Sequence, residues 1–303
     1  MNRVFQFILF ALLVVVTFPF AVLPLRLALC VGDALGLLIY ALWGSRRNIA
    51  LYNIRSAVER GALTLSENPR AVIRRNFRNL GKFIVEVNKI YYGFADSIFK
   101  TVDLRGAENF AKAQRKRKGV IFITGHCGNW ELMAVYLSMT LGRASIIARK
   151  QNNEYVNRFI ERTREKYGNH IIYKQGALRQ ILASLKKKEA VAILMDQSVI
   201  KSEGLIIHFL GKNAYAMKTP AIIARKTGAA VVPLFIRRTG TGHIIEIQEE
   251  IPLVEAGDGD TALLHDTINF SRPIEEYIEK YPSDWLWIHK RWKRVKVETA
   301  SGT

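Results

Sequence analysis

Between Arg3 and Arg26 the chain carries no charged residue: Val4 through Leu25 is apolar apart from Gln6, Thr17 and two prolines, Pro19 and Pro24. At about 1.5 Å of rise per residue a helix of that run reaches roughly 33 Å, against a bilayer hydrocarbon core of about 30 Å. The segment predicts a retained membrane anchor that Pro19 or Pro24 kinks or ends. A cleaved signal peptide is the competing reading, but such peptides have apolar regions of about 7–15 residues and a small-x-small cleavage site, and no convincing site follows here. Cys30 follows Leu-Ala-Leu, and Leu29 stands where a lipidated cysteine needs a small neighbour, so Cys30 reads as an ordinary apolar residue.

A second apolar stretch, Leu27 to Trp43, contains Asp33, Gly32 and Gly36. It is a poorer spanning candidate, expected to lie at the interface or pack on the anchor. Arg46, Arg47, Arg55 and Arg60 follow it, whereas Arg3 alone precedes the first run. The positive-inside rule then places the bulk of the chain on the cytoplasmic side. The expected organisation is an anchor and interfacial segment over 1–45 and a cytoplasmic α/β domain over 46–303, with a single pass through the membrane.

Composition enters through charge. Lys and Arg number 45 against 26 Asp and Glu, a net charge of +19. That surplus favours polyanionic partners: nucleic acid, an anionic leaflet, a phosphorylated substrate or an acidic carrier protein. Basic runs at Arg115–Lys118, Lys186–Lys188 and Lys290–Lys296 suit an anionic leaflet, at roughly 1 kcal/mol per residue near the surface; each also suits a solvated helix end. Two cysteines, Cys30 and Cys127, supply neither a disulfide framework nor a four-cysteine zinc site.

Beyond residue 45 strand-like and helical patterns alternate. Gly119–Thr124 is a short apolar run suited to a strand buried on both faces, and similar runs occur at Ser145–Ala148, Ala190–Met195, Leu205–Phe209, Ala230–Ile236 and His243–Ile247. Helical spacing marks Arg47–Arg60, Pro69–Tyr92, Trp130–Leu141, Glu154–Tyr167, Leu178–Lys187, Lys218–Lys226 and Ala262–Tyr281. The prediction is an α/β fold with a mixed, largely parallel sheet sandwiched by helices.

Ligands of such sheets gather beyond the carboxyl ends of the strands. The first apolar strand ends in Thr124-Gly125-His126-Cys127-Gly128-Asn129-Trp130-Glu131, and the run Ala190–Met195 ends in Asp196-Gln197. A histidine just past a strand, oriented by Glu131 or another acid, removes a proton from a hydroxyl, an effect of about 10² to 10⁴ in rate. Amides at the following helix start are suited to a developing oxyanion. A hydrogen-bonded structural histidine is the bland alternative. Cys127 adjoins His126, but neighbours at a strand end point apart, which argues against a cysteine nucleophile. Asp258-Gly259-Asp260 reads as a surface loop, and His170, His208, His243, His265 and His289 show no ligand spacing, so no metal is expected. Trp285, Trp287 and Trp292 beside Lys290, Arg291 and Lys293 suit either packing with headgroup contact or stacking on nucleic acid.

Here a resemblance becomes specific. GHCGNWEL resembles the His-X4-Asp/Glu motif of glycerolipid-type acyltransferases, and the wording around it resembles the lipid A biosynthesis acyltransferase family, the late lauroyl/myristoyl transferases of Gram-negative inner membranes. Arg149–Arg164, Ala190–Gln197, His208–Gly211, Thr227–Pro233 and Trp285–Lys293 match in order, so the resemblance covers about residues 1–295. It implies transfer of a fatty acyl chain from acyl carrier protein to a hydroxyl of a phosphorylated lipid A precursor, with no metal, cofactor or acyl-enzyme. His126 is the implied general base and Glu131 its acidic partner. Arg164 and Asp196 align with functional residues of the family, and with Arg149, which follows another strand, Asn129 and Lys218 they make up the expected substrate-binding set; Lys218 alternatively just begins a helix. The chain departs from its relatives at Asn213–Thr219, where many have a threonine-rich stretch, which bears on the choice of acceptor. Transfer to another glycolipid or an aminolipid, with acyl-CoA as donor, is the alternative within the class. A non-catalytic basic membrane-surface or nucleic-acid-binding protein is the alternative outside it.

Overall fold

The computed structural model describes residues 2–255 and 258–295; Lys296, the end of the last basic run, lies outside them. The apolar N-terminal segment forms two helices, α1 (Arg3–Val22) and α2 (Leu25–Leu42), divided at Pro24. Each is long and apolar enough to cross a membrane. After α3 (Gly44–Glu59) comes α4 (Pro69–Tyr92), whose limits follow from its sequence. Asn68 caps the Arg70 amide, Pro69 occupies the first turn where no amide donor is needed, and Gly93 ends the helix in the left-handed conformation.

The short α5 (Asp96–Phe99) leads into the sheet. The order is β1 (Val102–Arg105), α6 (Ala107–Arg115), β2 (Val120–Thr124), α7 (Trp130–Leu141), β3 (Ala144–Ala148), α8 (Glu154–Lys166), β4 (Asn169–Tyr173), α9 (Ala177–Lys186) and β5 (Ala190–Leu194). A hairpin of β6 (Gly204–Phe209) and β7 (Lys212–Met217) follows, then α10 (Thr219–Thr227), β8 (Ala230–Thr239), β9 (Gly242–Ile247) and α11 (Gly259–Lys280).

Seven strands form one sheet in the order β1-β9-β8-β2-β5-β3-β4. Every pairing in it is parallel except β8 with β9. The sheet is thus mixed and largely parallel, with helices on both faces. β2 lies at its centre with all five residues buried. Alternation divides its side chains between two cores: Ile121 and Ile123 join Phe77, Phe270 and Ile274, while Val120 and Phe122 join Phe110, Leu132 and Ile245. The run Leu205–Phe209 is a strand but lies in the separate β6–β7 hairpin, because its register partners are Lys212–Met217.

The second apolar stretch is not simply a companion of the first. Helix α2 crosses α4 so closely that a Cβ at Gly36 would overlap the Phe77 carbonyl oxygen, and one at Gly32 would lie 2.8 Å from the Lys82 Cα. Asp33 explains itself at this crossing, where it pairs with Arg78 at 2.7 Å and Lys82 at 2.8 Å. Helix α1 lies along α8 and α4. The Gln6 side chain accepts from the Glu154 amide and its carbonyl from Asn153, Phe10 packs on Tyr155 and Phe159, and Thr17 bonds Tyr92. Lys89 reaches the C-terminus of α1, donating to the carbonyls of Ala21 and Leu23 at 2.6 Å each. The outer faces of both helices remain apolar and exposed, as at Phe5, Val15, Leu38 and Leu42.

The glycine crossing gives a direct test. Gly36→Ala is expected to destabilise the protein by about 1–3 kcal/mol, the usual range for overpacking. Gly44→Ala, where the nearest atom to the new Cβ is 3.6 Å away, should be near neutral. Thermal unfolding in detergent compares the two; equal midpoints would refute the close-packed crossing.

Candidate active site

Parallel register brings the site together. β2 and β5 pair with Thr124 opposite Leu194, so the residues two positions further on, His126 and Asp196, emerge side by side beyond the carboxyl end of the sheet. His126 Nδ1 lies 2.8 Å from Asp196 Oδ1, and the His126 amide donates to Oδ2 at 3.0 Å. The Trp285 indole N–H donates to the same Oδ2 at 2.8 Å. Gly128 allows the loop to turn sharply at φ +53, where a Cβ would overlap the Ile236 carbonyl oxygen. The C-terminal segment closes over this loop: Gly128 N donates to Asp284 O and Leu286 N to His126 O.

Electrostatics follow from burial and partners. Burial opposes ionisation of Asp196, but the His126 ring and the hydrogen bonds from His126 and Trp285 outweigh it and hold its pKa at about 2. Burial disfavours a charged His126 ring, yet Asp196, with a further contribution from Glu131, raises its pKa above the ordinary histidine value. Cys127 is fully buried and its thiol is pushed well up, chiefly by that burial, which leaves it inert as a nucleophile.

The residue that orients His126 is therefore Asp196 and not Glu131. Arg164 NH2 donates to both oxygens of Glu131, at 2.8 and 3.0 Å, and Tyr91 OH donates to Oε2 at 3.0 Å. The substrate-binding set is redistributed accordingly. Asp196 is 2% exposed and its oxygens are committed to protein donors. Asn129 is buried too, capping the Leu132 amide and donating to Glu86. Lys218 stands at the N-cap of α10, outside the cavities that contain His126. Arg149, by contrast, is exposed at the end of β3 and lines the larger cavity described next.

That cavity measures about 300 Å³ and runs between α7, α8 and the sheet, at the lower limit of the about 300–1,000 Å³ typical of small-molecule sites. Met133, Ala134, Leu137, Ile146, Ile160 and Leu194 give it an apolar wall, and His126, Glu131, Arg149, Glu161, Arg164 and Tyr173 are its charged or titratable members. The Arg164 Nε–H is buried with no protein partner.

Three participants were not singled out from the sequence: Tyr91, Glu86 and Arg238. Glu86 is fully buried in α4, where Arg238 forks it at 2.7 and 2.6 Å. Burial opposes its ionisation, but His243 and Arg238 hold its pKa at about 2. Its signal was available: an acid on the apolar stripe of an amphipathic helix, between Val85 and Val87.

A histidine oriented by a buried carboxylate at an apolar cavity suits removal of a hydroxyl proton beside a long apolar group, the chemistry of an acyltransferase. A family model for bacterial lipid A biosynthesis acyltransferase matches residues 2–294, and the chain belongs to that family. It is an enzyme, which sets aside the non-catalytic alternative. It is 24% identical to the lipid A biosynthesis palmitoleoyltransferase of Escherichia coli (strain K12) over 92% of this chain and 89% of that protein. It is 22% identical to the phosphatidylinositol mannoside acyltransferase of Mycolicibacterium smegmatis over 74% of this chain and 73% of that one. Among solved structures, the 1-acyl-sn-glycerophosphate (LPA) acyltransferase PlsC from Thermotoga maritima aligns with a TM-score of 0.38 and 16% identity, covering 82% of this chain and 97% of that chain.

The pair predicts two pH effects. Asp196 has a folded pKa below its ordinary 3.8, so it stabilises the fold above that value, and the contribution is lost as pH falls toward about 2. Asp196→Asn removes the charge that raises the His126 pKa, so His126 in that variant should titrate at lower pH than in the wild type. The pH dependence of His126 carbethoxylation, followed by peptide mass spectrometry, reads this without turnover. An unchanged titration would show that Asp196 does not control the ring.

Proposed function

We propose that this enzyme transfers a fatty acyl chain from acyl carrier protein to a hydroxyl of a phosphorylated lipid A precursor at the cytoplasmic face of a bacterial inner membrane. The observation that carries the reading is the His126–Asp196 pair at the head of an apolar cavity in a chain of this family. The acyl chain lies in the cavity, where burial contributes about 0.8 kcal/mol per methylene.

His126, neutral and held by Asp196, takes the proton of the acceptor hydroxyl as its oxygen attacks the thioester carbonyl. The carbonyl electron pair moves to oxygen, and a donor is needed there. Arg164 lines the same cavity and its guanidinium suits that role, fixed by Glu131, which Tyr91 holds in turn. Glu131 also favours the imidazolium that forms on His126. Collapse expels the carrier thiolate, which receives the proton from His126. Arg149, exposed on the cavity wall, suits the phosphate of the carrier's prosthetic arm or of the acceptor.

Helices α1 and α2, apolar on their outer faces and packed on α4 and α8, support membrane attachment beside the site. The similarity to phosphatidylinositol mannoside acyltransferases favours a second reading in which the acceptor is a different glycolipid.

Purified enzyme in lipid or detergent, given acyl-carrier thioesters and either a tetraacylated lipid A precursor or a mannosylated phospholipid, tests both readings. His126→Ala is expected to lower transfer by about 10² to 10⁴; wild-type turnover in that variant would refute the mechanism. Ala134→Phe, which fills part of the cavity wall, should shift the preferred donor to shorter chains in a competition assay, and an unchanged profile would move the acyl site elsewhere.

A further inference from the structure

A second cavity reaches His126. It is lined by Asn76, Asn79, Arg238, His243 and Asp284, among others, and shares only His126 and Trp130 with the larger one. We propose that this smaller pocket receives the hydroxyl-bearing group of the acceptor lipid, so that donor chain and acceptor alcohol approach the imidazole through separate cavities. The inference rests on the glycolipid acyl-transfer reading and assigns one of its two substrates a place.

Size separates the two cavities first. The smaller pocket holds about 30 Å³, whereas a single water needs about 10–15 Å³ on the same kind of measure. It admits a hydroxyl or hydroxymethyl group and excludes an acyl chain, which fits only the cavity of about 300 Å³.

Its chemistry matches an uncharged alcohol. The only guanidinium on its wall, that of Arg238, is neutralised by the fork onto Glu86. Asp284 is held toward its neutral form, since burial raises its pKa against the hydrogen bonds from Ser283 and Tyr277. A phosphate would find no uncompensated arginine or lysine among the lining residues. His243 is 1% exposed, with Nε2 3.4 Å from Glu86 and Nδ1 without any protein partner. Asn76 and Asn79 spend their amide N–H groups on Ser283, Trp285 and Asp284, which leaves amide oxygens to accept from the ligand.

Position completes the case. Asn79, Leu80 and Phe83 of α4 line the pocket, while Arg78, Gly81 and Lys82 on the adjoining face of that helix hold α2. The pocket therefore lies one helix away from the exposed apolar faces of α1 and α2, where a membrane lipid delivers its headgroup and keeps its chains in the bilayer.

Blocking each cavity separately tests the assignment. Leu80→Trp fills the rim of the smaller pocket and is expected to raise the acceptor KM at least tenfold while the donor KM stays within twofold of wild type. Ala134→Phe should do the reverse for a long-chain donor. Asn79→Leu, which keeps the side-chain size, is the second variant if Leu80→Trp does not accumulate as folded protein, and the same selective rise is expected. Unchanged acceptor KM in the folded variants, with normal wild-type transfer, would overturn the pocket assignment alone. Absence of transfer by the wild type to any glycolipid hydroxyl would instead count against the reading beneath it.

Discussion

The fully buried Asp196 carboxylate is the interaction on which the catalytic end of this protein depends. An isolated ionised carboxylate at that depth would take up a proton, since burial alone raises its pKa. It stays charged because donors from distant parts of the chain converge on it: the His126 backbone and ring from β2, and the Trp285 indole from the C-terminal segment. Trp285 is held in turn, because Asn76 donates to its carbonyl and Asn53 donates to the carbonyls of Trp287 and His289. Removing any one support exposes the same problem, a buried charge with too few partners. The geometry of His126 is thus a product of the whole C-terminal closure, and not of its own loop.

Helix α4 connects that centre to the apolar helices α1 and α2. Its Gly81 admits α2, its Lys89 caps α1, its Glu86 ties Asn129 and Arg238 together, and its Tyr91 fixes Glu131. A helix that serves all four neighbours has little freedom to move without disturbing the site. Local opening in this region is therefore expected to be costlier than at the exposed loops, because it breaks buried polar pairs as well as packing.

Much of the fold was legible in the sequence where a local physical rule decides it. Pro69–Tyr92 is delimited by a cap, a proline and a left-handed glycine, and β2 is a continuous apolar run. The missed strands fall elsewhere. β1 and β4 are the two edges of the sheet, where one side is unpaired and polar residues such as Asp103, Arg105 and Asn169 are tolerated. β7, Lys212–Met217, alternates in a hairpin outside the main sheet. The site was legible as residue types but not as partners. Whether Glu131 or Asp196 holds His126 depends on the register of β2 against β5 and on where α8 places Arg164, and both are tertiary facts without a local signature.

The same distinction sharpens what the net charge of +19 means. Arg164 and Arg238, each on the wall of a cavity that reaches His126, are neutralised by part-buried Glu131 and fully buried Glu86. Pairing of this kind adds little to stability against a well-packed apolar replacement, because desolvation of both ions offsets most of their attraction. Its benefit is orientation: a forked guanidinium is fixed in direction, and its remaining N–H groups are aimed. The interior of the site therefore carries directed donors with little uncompensated charge, which suits a carbonyl or a hydroxyl. The surplus positive charge belongs to the exposed basic residues, Arg149 among them. On the proposed reading, a phosphorylated ligand would be met at the rim, with only its neutral reacting groups passing inward to His126.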